Sequence, residues 1–261
     1  MNNVNKTLYI PLYGKAYVSK KGCILHDPTA EVIWNAEGFP LKGKAKSKWL
    51  AYYMGMRSAV FDKWLHAMMQ DDNSAVVLHL GCGMDSRIHR VGTNGHFWYD
   101  VDFPEVITER KRYFTESDSY HMVGADVRCK EWLSAIPVRN SAIVVMEGIS
   151  MYLSPEELHG LFRDLQEYFD HVTVLMDSYT VFAAKASKYK NPINEVGVTL
   201  VYGTDDPHVL DDTGIRFAEE LEITPAALVD ELKGMEKKIF QKVFAGSFSK
   251  KMYRLYEYRK V

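Results

Sequence analysis

An apolar run, Val76-Val-Leu-His-Leu80, ends directly in Gly81-Cys-Gly83, and few architectures accept that junction. The run is short, unbroken and rich in valine and leucine, the pattern of a strand buried on both faces. Two glycines one residue apart let the backbone turn sharply and approach a ligand with no Cβ in the way. Asp85 or Ser86 stands where a following helix would be capped. A dinucleotide site wants a third glycine three residues after the second. Ser86 holds that place, so pyrophosphate binding is disfavoured.

A second signal follows. Phe97-Trp-Tyr-Asp-Val-Asp102 reads as a strand ending in carboxylates, roughly 20 residues past the first glycine. An acid there commonly accepts from ribose hydroxyls, which makes Asp100 and Asp102 candidates. A nucleoside ligand without phosphates fits both signals, and S-adenosylmethionine is the common one.

The rest of the chain supports an α/β fold. Strands are predicted at 75–80, 96–101, 119–124, 141–146 and 171–177, with helical segments between them, and later strands at 215–223 and 251–259. Short strands alternating with helices specify a doubly wound, mostly parallel sheet. Residues 1–70 read as a mostly helical arm or lid. Within them Trp49, Tyr52, Tyr53, Met56, Val60, Phe61, Trp64 and Leu65 fall at helical spacing. Lys42, Lys44, Lys46 and Lys48 read as a solvated basic run. Residues 71–261 form the ligand-binding domain. Ser154-Pro155-Glu156-Glu157 opens a helix with an N-cap serine, a first-turn proline and a capping-box glutamate. Between about 178 and 214, Pro192, Gly197, Gly203, Pro207 and Gly214 break any long element, so a helix followed by a loop-rich cap is expected. The aromatic and charged strand at 251–259 suits a place near the sheet edge.

Length and composition limit the function. The 261 residues with 47% hydrophobic content can bury one full α/β core. A net charge of −2 gives no overall pull toward nucleic acid or anionic lipid. No apolar run nears a membrane span, and no signal-peptide core is seen. Cys23, Cys82 and Cys129 are odd in number and lack metal spacing, which favours a reducing, cytoplasmic compartment. The nine histidines form no ligand pattern, so no metal is expected. His79, inside a strand, reads as a packed side chain. His121, His171 and His208 read as structural.

Further candidates sit where predicted strands end, since those ends line the ligand crevice of an open α/β sheet. Asp126, in Gly124-Ala-Asp-Val127, either accepts from an adenine amino group or caps a helix, and Val127 supplies an apolar wall. Glu147 follows the apolar strand Ile143–Met146 at a loop position that favours function. Tyr152 follows closely on the crevice side and is the catalytic candidate among the tyrosines.

These pieces resemble the leucine carboxyl methyltransferase and tetracenomycin-type polyketide O-methyltransferase family. The resemblance rests on Thr7–Leu12, Leu25–Ala30, Met56–Asp62, Leu80–Arg87, Trp98–Ile107 and Met146–Leu153, in that order. It fades between about residues 180 and 250. It implies a Rossmann-like fold with an antiparallel final strand and S-adenosylmethionine as cofactor. It also implies roles for single residues. Arg57 would hold the methionine carboxylate, a bidentate task suited to a guanidinium. Lys15 stands where many relatives carry arginine and would pair with that carboxylate as a point charge. Gly81 and Gly83 would approach the cofactor, Asp102 the ribose with Asp100 nearby, Asp126 and Val127 the adenine, and Glu147 the methionine ammonium. Ser150 replaces the family's usual apolar residue.

The expected activity is O-methylation of a carboxylate on a small biosynthetic intermediate. A carboxylate is already ionised at neutral pH and needs no base, and the sequence offers no clear His/Asp base. A phenol, hydroxyl or nitrogen acceptor is the alternative. A nicotinamide-dependent oxidoreductase and a non-catalytic nucleoside-binding protein stand behind it. The expected partner is a small-molecule methyl acceptor, with neither nucleic acid nor membrane. The sequence does not indicate an oligomeric state.

Overall fold

The computed structural model describes residues 8–37, 43–137, 140–187 and 200–260. Pro192, Gly197 and Lys42 lie outside them, as does the side chain of Lys44. Seven strands form one sheet: β1 (Val76–Leu80), β2 (Trp98–Asp102), β3 (Tyr120–Gly124), β4 (Ser141–Met146), β5 (His171–Tyr179), β6 (Arg216–Leu221) and β7 (Tyr253–Lys260). Their order is β3-β2-β1-β4-β5-β7-β6. The first five run parallel, and β7 enters antiparallel between β5 and β6. The strand order reverses between β1 and β4, the switch point at which open α/β sheets form their crevice.

The period-two rule explains the layering. Val77, Ile143, Val145, Leu175 and Leu255 point to one side, where they pack with Tyr52, Met56, Phe61 and Leu65 of the N-terminal helices. Val76, Leu78, Val144, Val174 and Tyr258 point to the other, against Leu161, Phe162 and Leu165. Both faces of the central strands are thus covered, so these strands read as continuous apolar runs rather than alternating ones.

The arm resolves into α1 (Tyr9–Lys21), α2 (Pro28–Glu37) and a long α3 (Lys48–Asp71). Gly22, at φ 69°, closes α1: its N–H reaches back to Ser19 and that of Cys23 to Val18. After β1 comes α4 (Arg87–Val91), which is a short helix. Ser86 sits at its N-cap position without accepting a capping bond, because its hydroxyl is turned to Asp27 instead. The remaining helices are α5 (Pro104–Arg110), α6 (Pro155–Tyr168), α7 (Val181–Ala186), α8 (Ala226–Asp230), α9 (Gly234–Val243) and α10 (Ser247–Met252). α6 begins as its sequence predicts. The Ser154 hydroxyl accepts from the Glu157 N–H, and the Glu157 carboxylate accepts from the Ser154 N–H.

The last strand lies near the sheet edge, as expected. β7 is penultimate, and β6 forms the edge outside it. Its Glu257 is fully buried, yet it is satisfied by the Trp64 indole N–H at 2.7 Å and by Arg259. Arg254 pairs with Glu220 of β6 at 2.8 Å. The charges that look like edge protection are therefore partners inside the sheet.

Candidate functional site

A cavity of about 400 Å3 opens along the carboxyl edge of the sheet, within the usual range of small-molecule sites. It runs from the loops after β3 and β2, past the glycine turn, to the end of β5 and the start of β7. Lys15, Arg57, Gly81, Gly83, Asp102, Asp126, Val127, Glu147 and Tyr152 all line it. The topology brings these distant positions together because each parallel strand ends at the same rim.

The glycine turn forms the floor. Gly81 and Gly83 take φ values of 64° and 51°, which side chains other than glycine rarely adopt. A Cβ at Gly81 would lie 1.9 Å from the Ile149 Cγ2, so that glycine also makes room for the loop after β4. At Gly83 the cradle is more open, with only Leu8 Cβ 3.5 Å from where a Cβ would stand. Asp102 holds this turn. Its carboxylate accepts from the Gly83 N–H and the Phe103 N–H, each at 2.7 Å. Burial raises its pKa to about 6, and those two N–H groups and Arg110 offset the burial only in part.

Asp100 does not line the cavity. It lies fully buried beneath the turn, where Arg110, the Trp98 indole and Tyr120 donate to it and His79 Nδ1 stands 3.1 Å away. Burial opposes its charge, but Arg110 and His79 outweigh that and lower its pKa. It braces the floor: the same Arg110 donates to the Gly83 carbonyl at 3.0 Å. The second carboxylate of the Asp-Val-Asp pattern is thus the one that lines the cavity, and the first is a structural counter-ion.

The centre of the cavity is a buried ion network larger than the sequence reading foresaw. Arg57 donates to Glu147 at 3.1 Å and to Asp177 at 2.7 Å. Arg87 pairs with Glu147 and, at 2.7 Å, with Asp62. Lys15 approaches Asp85 at 2.9 Å and Glu147 at 3.8 Å. Arg90 joins Asp27, Asp62 and Asp85 at 2.6, 2.6 and 2.8 Å. Burial raises the cost of ionising Glu147, yet Lys15, Arg57 and Arg87 overcome it and hold the carboxyl at about 2. Asp85 is likewise held well below the usual carboxylate range by Arg90, Lys15 and Arg87 against its burial. Asp177 goes the other way, because burial prevails over Arg57. Counting these side chains, four cations face five carboxylates; Lys15, Arg57, Asp85 and Glu147 line the cavity and the others stand behind them.

Asp85, Arg87, Arg90, Asp62, Asp27 and Asp177 were not singled out as site residues from the sequence. Asp177 carried a usable signal, since it stands near the end of a predicted strand like Glu147. Asp27, Asp62 and Arg90 carried none, because their partners lie far away in the chain.

Asp126 lines the cavity but caps no helix. Both its oxygens are taken by the Arg128 guanidinium, with Nε at 2.8 and 3.0 Å, and Arg128 also reaches Glu157 at 3.0 Å. The helical turn that follows starts only at Lys130, so Asp126 caps nothing. At the opposite end, Ile10, Met151, Tyr152, Tyr179 and Tyr253 pack into one apolar cluster. The Tyr253 hydroxyl donates to that of Tyr179 at 3.0 Å. Burial pushes both phenols up, so they remain protonated donors.

His79 lines the cavity floor but is fully enclosed. Its two ring nitrogens stand 3.1 Å from Asp100 and 3.1 Å from Arg87, and burial lowers its pKa. It is packed, as its place in a strand predicts. Among the described residues no cluster of three metal-ligating side chains occurs.

A family model for leucine carboxyl methyltransferase matches residues 12–166. The chain belongs to that family. This methyltransferase is 28% identical over 241 residues to the tetracenomycin polyketide synthesis O-methyltransferase TcmP of Streptomyces glaucescens, covering 91% of this chain and 89% of the relative. It is 24% identical over 248 residues to the S-adenosyl-L-methionine-dependent methyltransferase dpfgK of Gibberella zeae, covering 85% and 83%. Its fold is shared by a putative methyltransferase from Thermobifida fusca YX, with a TM-score of 0.57, 14% identity and coverage of 95% and 94%. It is also shared by magnesium protoporphyrin IX methyltransferase from Synechocystis PCC 6803, solved with bound SAH, with a TM-score of 0.51, 12% identity and coverage of 90% and 100%. The methyltransferase uses S-adenosylmethionine. The nicotinamide-dependent and non-catalytic alternatives are thereby set aside.

Proposed function

We propose that this methyltransferase transfers the methyl group to a carboxylate oxygen of a small molecule. The observation that carries this reading is the chemistry of the cavity beside β5 and β7. That end offers apolar side chains and protonated phenols, while the cavity's histidine, His79, is enclosed between Asp100 and Arg87, and the nearby carboxylates Asp85 and Glu147 are tied to Lys15, Arg57, Arg87 and Arg90. An acceptor placed there must arrive already ionised. A carboxylate, with a free pKa near 4, meets that condition, whereas a phenol needs a base.

The roles follow the geometry. Asp102 and the glycine turn take the ribose, Val127 the adenine, and Asp126 the adenine edge once Arg128 yields. Glu147 meets the methionine ammonium, and Lys15 and Arg57 the methionine carboxylate. The lining sets Lys15, Arg57 and Arg128 against Asp85, Asp102, Asp126 and Glu147, a balance that suits a ligand with two cationic groups and one anionic group. When bound, S-adenosylmethionine supplies an electrophilic sulfonium methyl. The chain aligns the acceptor oxygen behind that methyl and excludes water, which strengthens the nucleophile. Tyr152 orients the acceptor. The helices of residues 9–71, whose Ile10, Pro11, Lys15, Met54 and Arg57 line the cavity, serve as its lid. The free thiols of Cys23, Cys82 and Cys129 fit a reducing, cytoplasmic setting.

The test uses methyl-labelled cofactor with a panel of carboxylic acids and with cell extract. The expected product is an ester, cleaved by mild alkali. A labelled product stable to alkali, with its methyl on nitrogen, carbon or a phenol oxygen, overturns the carboxylate reading.

A further inference from the structure

A net charge of −2 hides a strong local imbalance. Residues 233–251 carry six lysines (233, 237, 238, 242, 250 and 251) and a single acid, Glu236. That acid is half-buried and paired with Lys21 and, at 2.8 Å, with Lys48, and Lys237, off the exposed face, is paired with Asp230 at 3.1 Å. On α9, positions 235, 238, 239, 242 and 243 share one face at spacings of three and four. All five side chains are exposed: Met235, Lys238, Ile239, Lys242 and Val243. Met235 is 73% exposed, Ile239 37% and Val243 47%, although each is apolar. Phe248 of α10, 44% exposed, continues the row through an edge contact with Phe244 at 6.0 Å. Lys251 lies 4.3 Å over the ring of Phe182, itself 49% exposed, and extends the patch to α7.

We propose that this face of α9 and α10 docks on an anionic lipid surface. The reasoning is one of composition and shape. Apolar side chains that alternate with lysines along a convex helix can enter the boundary between headgroups and acyl chains, while the lysine ammonium groups stay at headgroup level. A protein partner would be met with other residues. Such interfaces favour Tyr, Trp and Arg anchors and are depleted in lysine, and this exposed row has lysine without arginine. Nucleic acid would satisfy the lysines but leave Met235, Ile239 and Val243 facing phosphate. The overall charge argued against lipid. The structure shows that its acids do not share this face of α9.

The proposal is independent of the acceptor. The experiment is co-sedimentation of the full chain with vesicles of mixed phosphatidylglycerol and phosphatidylcholine, and with vesicles of phosphatidylcholine alone. Size-exclusion chromatography and a polyglutamate-binding control accompany it. The protein is expected to sediment with the anionic vesicles and not with the neutral ones. Lys238→Glu with Lys242→Glu should lower the partition coefficient about tenfold or more, each lysine near such a surface contributing about fivefold. Ile239→Ser with Val243→Ser should also lower it, with melting temperatures showing that both variants fold. Four results overturn the proposal. They are no sedimentation with anionic vesicles, sedimentation that neither pair of changes reduces, binding to polyglutamate without binding to vesicles, and a dimer that Ile239→Ser dissociates.

Discussion

Cofactor affinity should depend on pH through Asp102, and the size of the effect follows from its surroundings. In the free protein burial raises this carboxyl from 3.8 to about 6. Ribose hydroxyls donate hydrogen bonds, so the bound state favours the ionised form. Binding should therefore be flat above about pH 7 and weaken below about pH 6. At pH 5 roughly one free molecule in ten has Asp102 ionised, so affinity should be about tenfold lower, near 1.4 kcal/mol. The same shift bears on stability. A carboxyl whose folded pKa is raised adds stability that is fully present below its unfolded pKa and is lost as pH rises through about 6. The shift of about two units corresponds to about 3 kcal/mol, so the free protein keeps a destabilised carboxylate at neutral pH that ribose hydroxyls relieve. Glu147 does not share this limb. It is held at about 2, so its contribution is present above about pH 4 and lost only as pH falls toward 2. The assay is calorimetric titration of S-adenosylhomocysteine, which has no methyl to transfer, from pH 5 to 8. A flat affinity in the native protein refutes the reasoning, and so does an Asp102→Asn protein that keeps the acid limb.

Other outcomes follow from the same geometry. Arg57→Ala leaves the buried Asp177 without its cationic partner, while Glu147 keeps Arg87 and Lys15, so it should destabilise the fold by about 3–5 kcal/mol as well as weaken cofactor binding; chemical denaturation reads the first and calorimetry the second. Gly81→Ala should lower the melting temperature, and the added change Ile149→Ala should recover part of the loss, because the new Cβ meets Ile149. Ser154→Ala removes half of a capping box and should cost about 1 kcal/mol, a shift of about 2–4 °C in Tm. Tyr152→Phe should leave S-adenosylhomocysteine affinity unchanged while raising KM for the acceptor, and equal loss in both would remove Tyr152 from the acceptor end.

The parallel strands were legible because burial on both faces leaves a continuous apolar signature, as in Val76–Leu80 and Ile143–Met146. α6 was legible because Ser154, Pro155 and Glu157 each act locally. What escaped is what depends on distance in the chain. Asp27, Asp62 and Arg90 meet only after α2, α3 and α4 have docked, and no spacing announces that. Asp100 and Asp102 look alike in sequence and share one face of β2, yet Asp100 lies within the strand, beneath the turn, and Asp102 at its carboxyl end, on the rim. The partners of β7's charges were obscured because Glu257 reads as a surface residue until Trp64 is brought beside it. α8 to α10 carried no reading, since few motifs mark that stretch.

The ion network has a further consequence for how the molecule can be divided. Two of its cations, Lys15 and Arg57, come from α1 and α3, while Asp85, Glu147 and Asp177 belong to the sheet and its loops. A chain lacking everything up to the end of α3 would leave those carboxylates inside a hydrophobic framework with Arg87 and Arg90 as their remaining guanidinium partners. The segment after residue 71, expressed alone, should therefore be unstable, whereas a nick or a circular permutation at that junction keeps both halves and should leave the ion pairs in place.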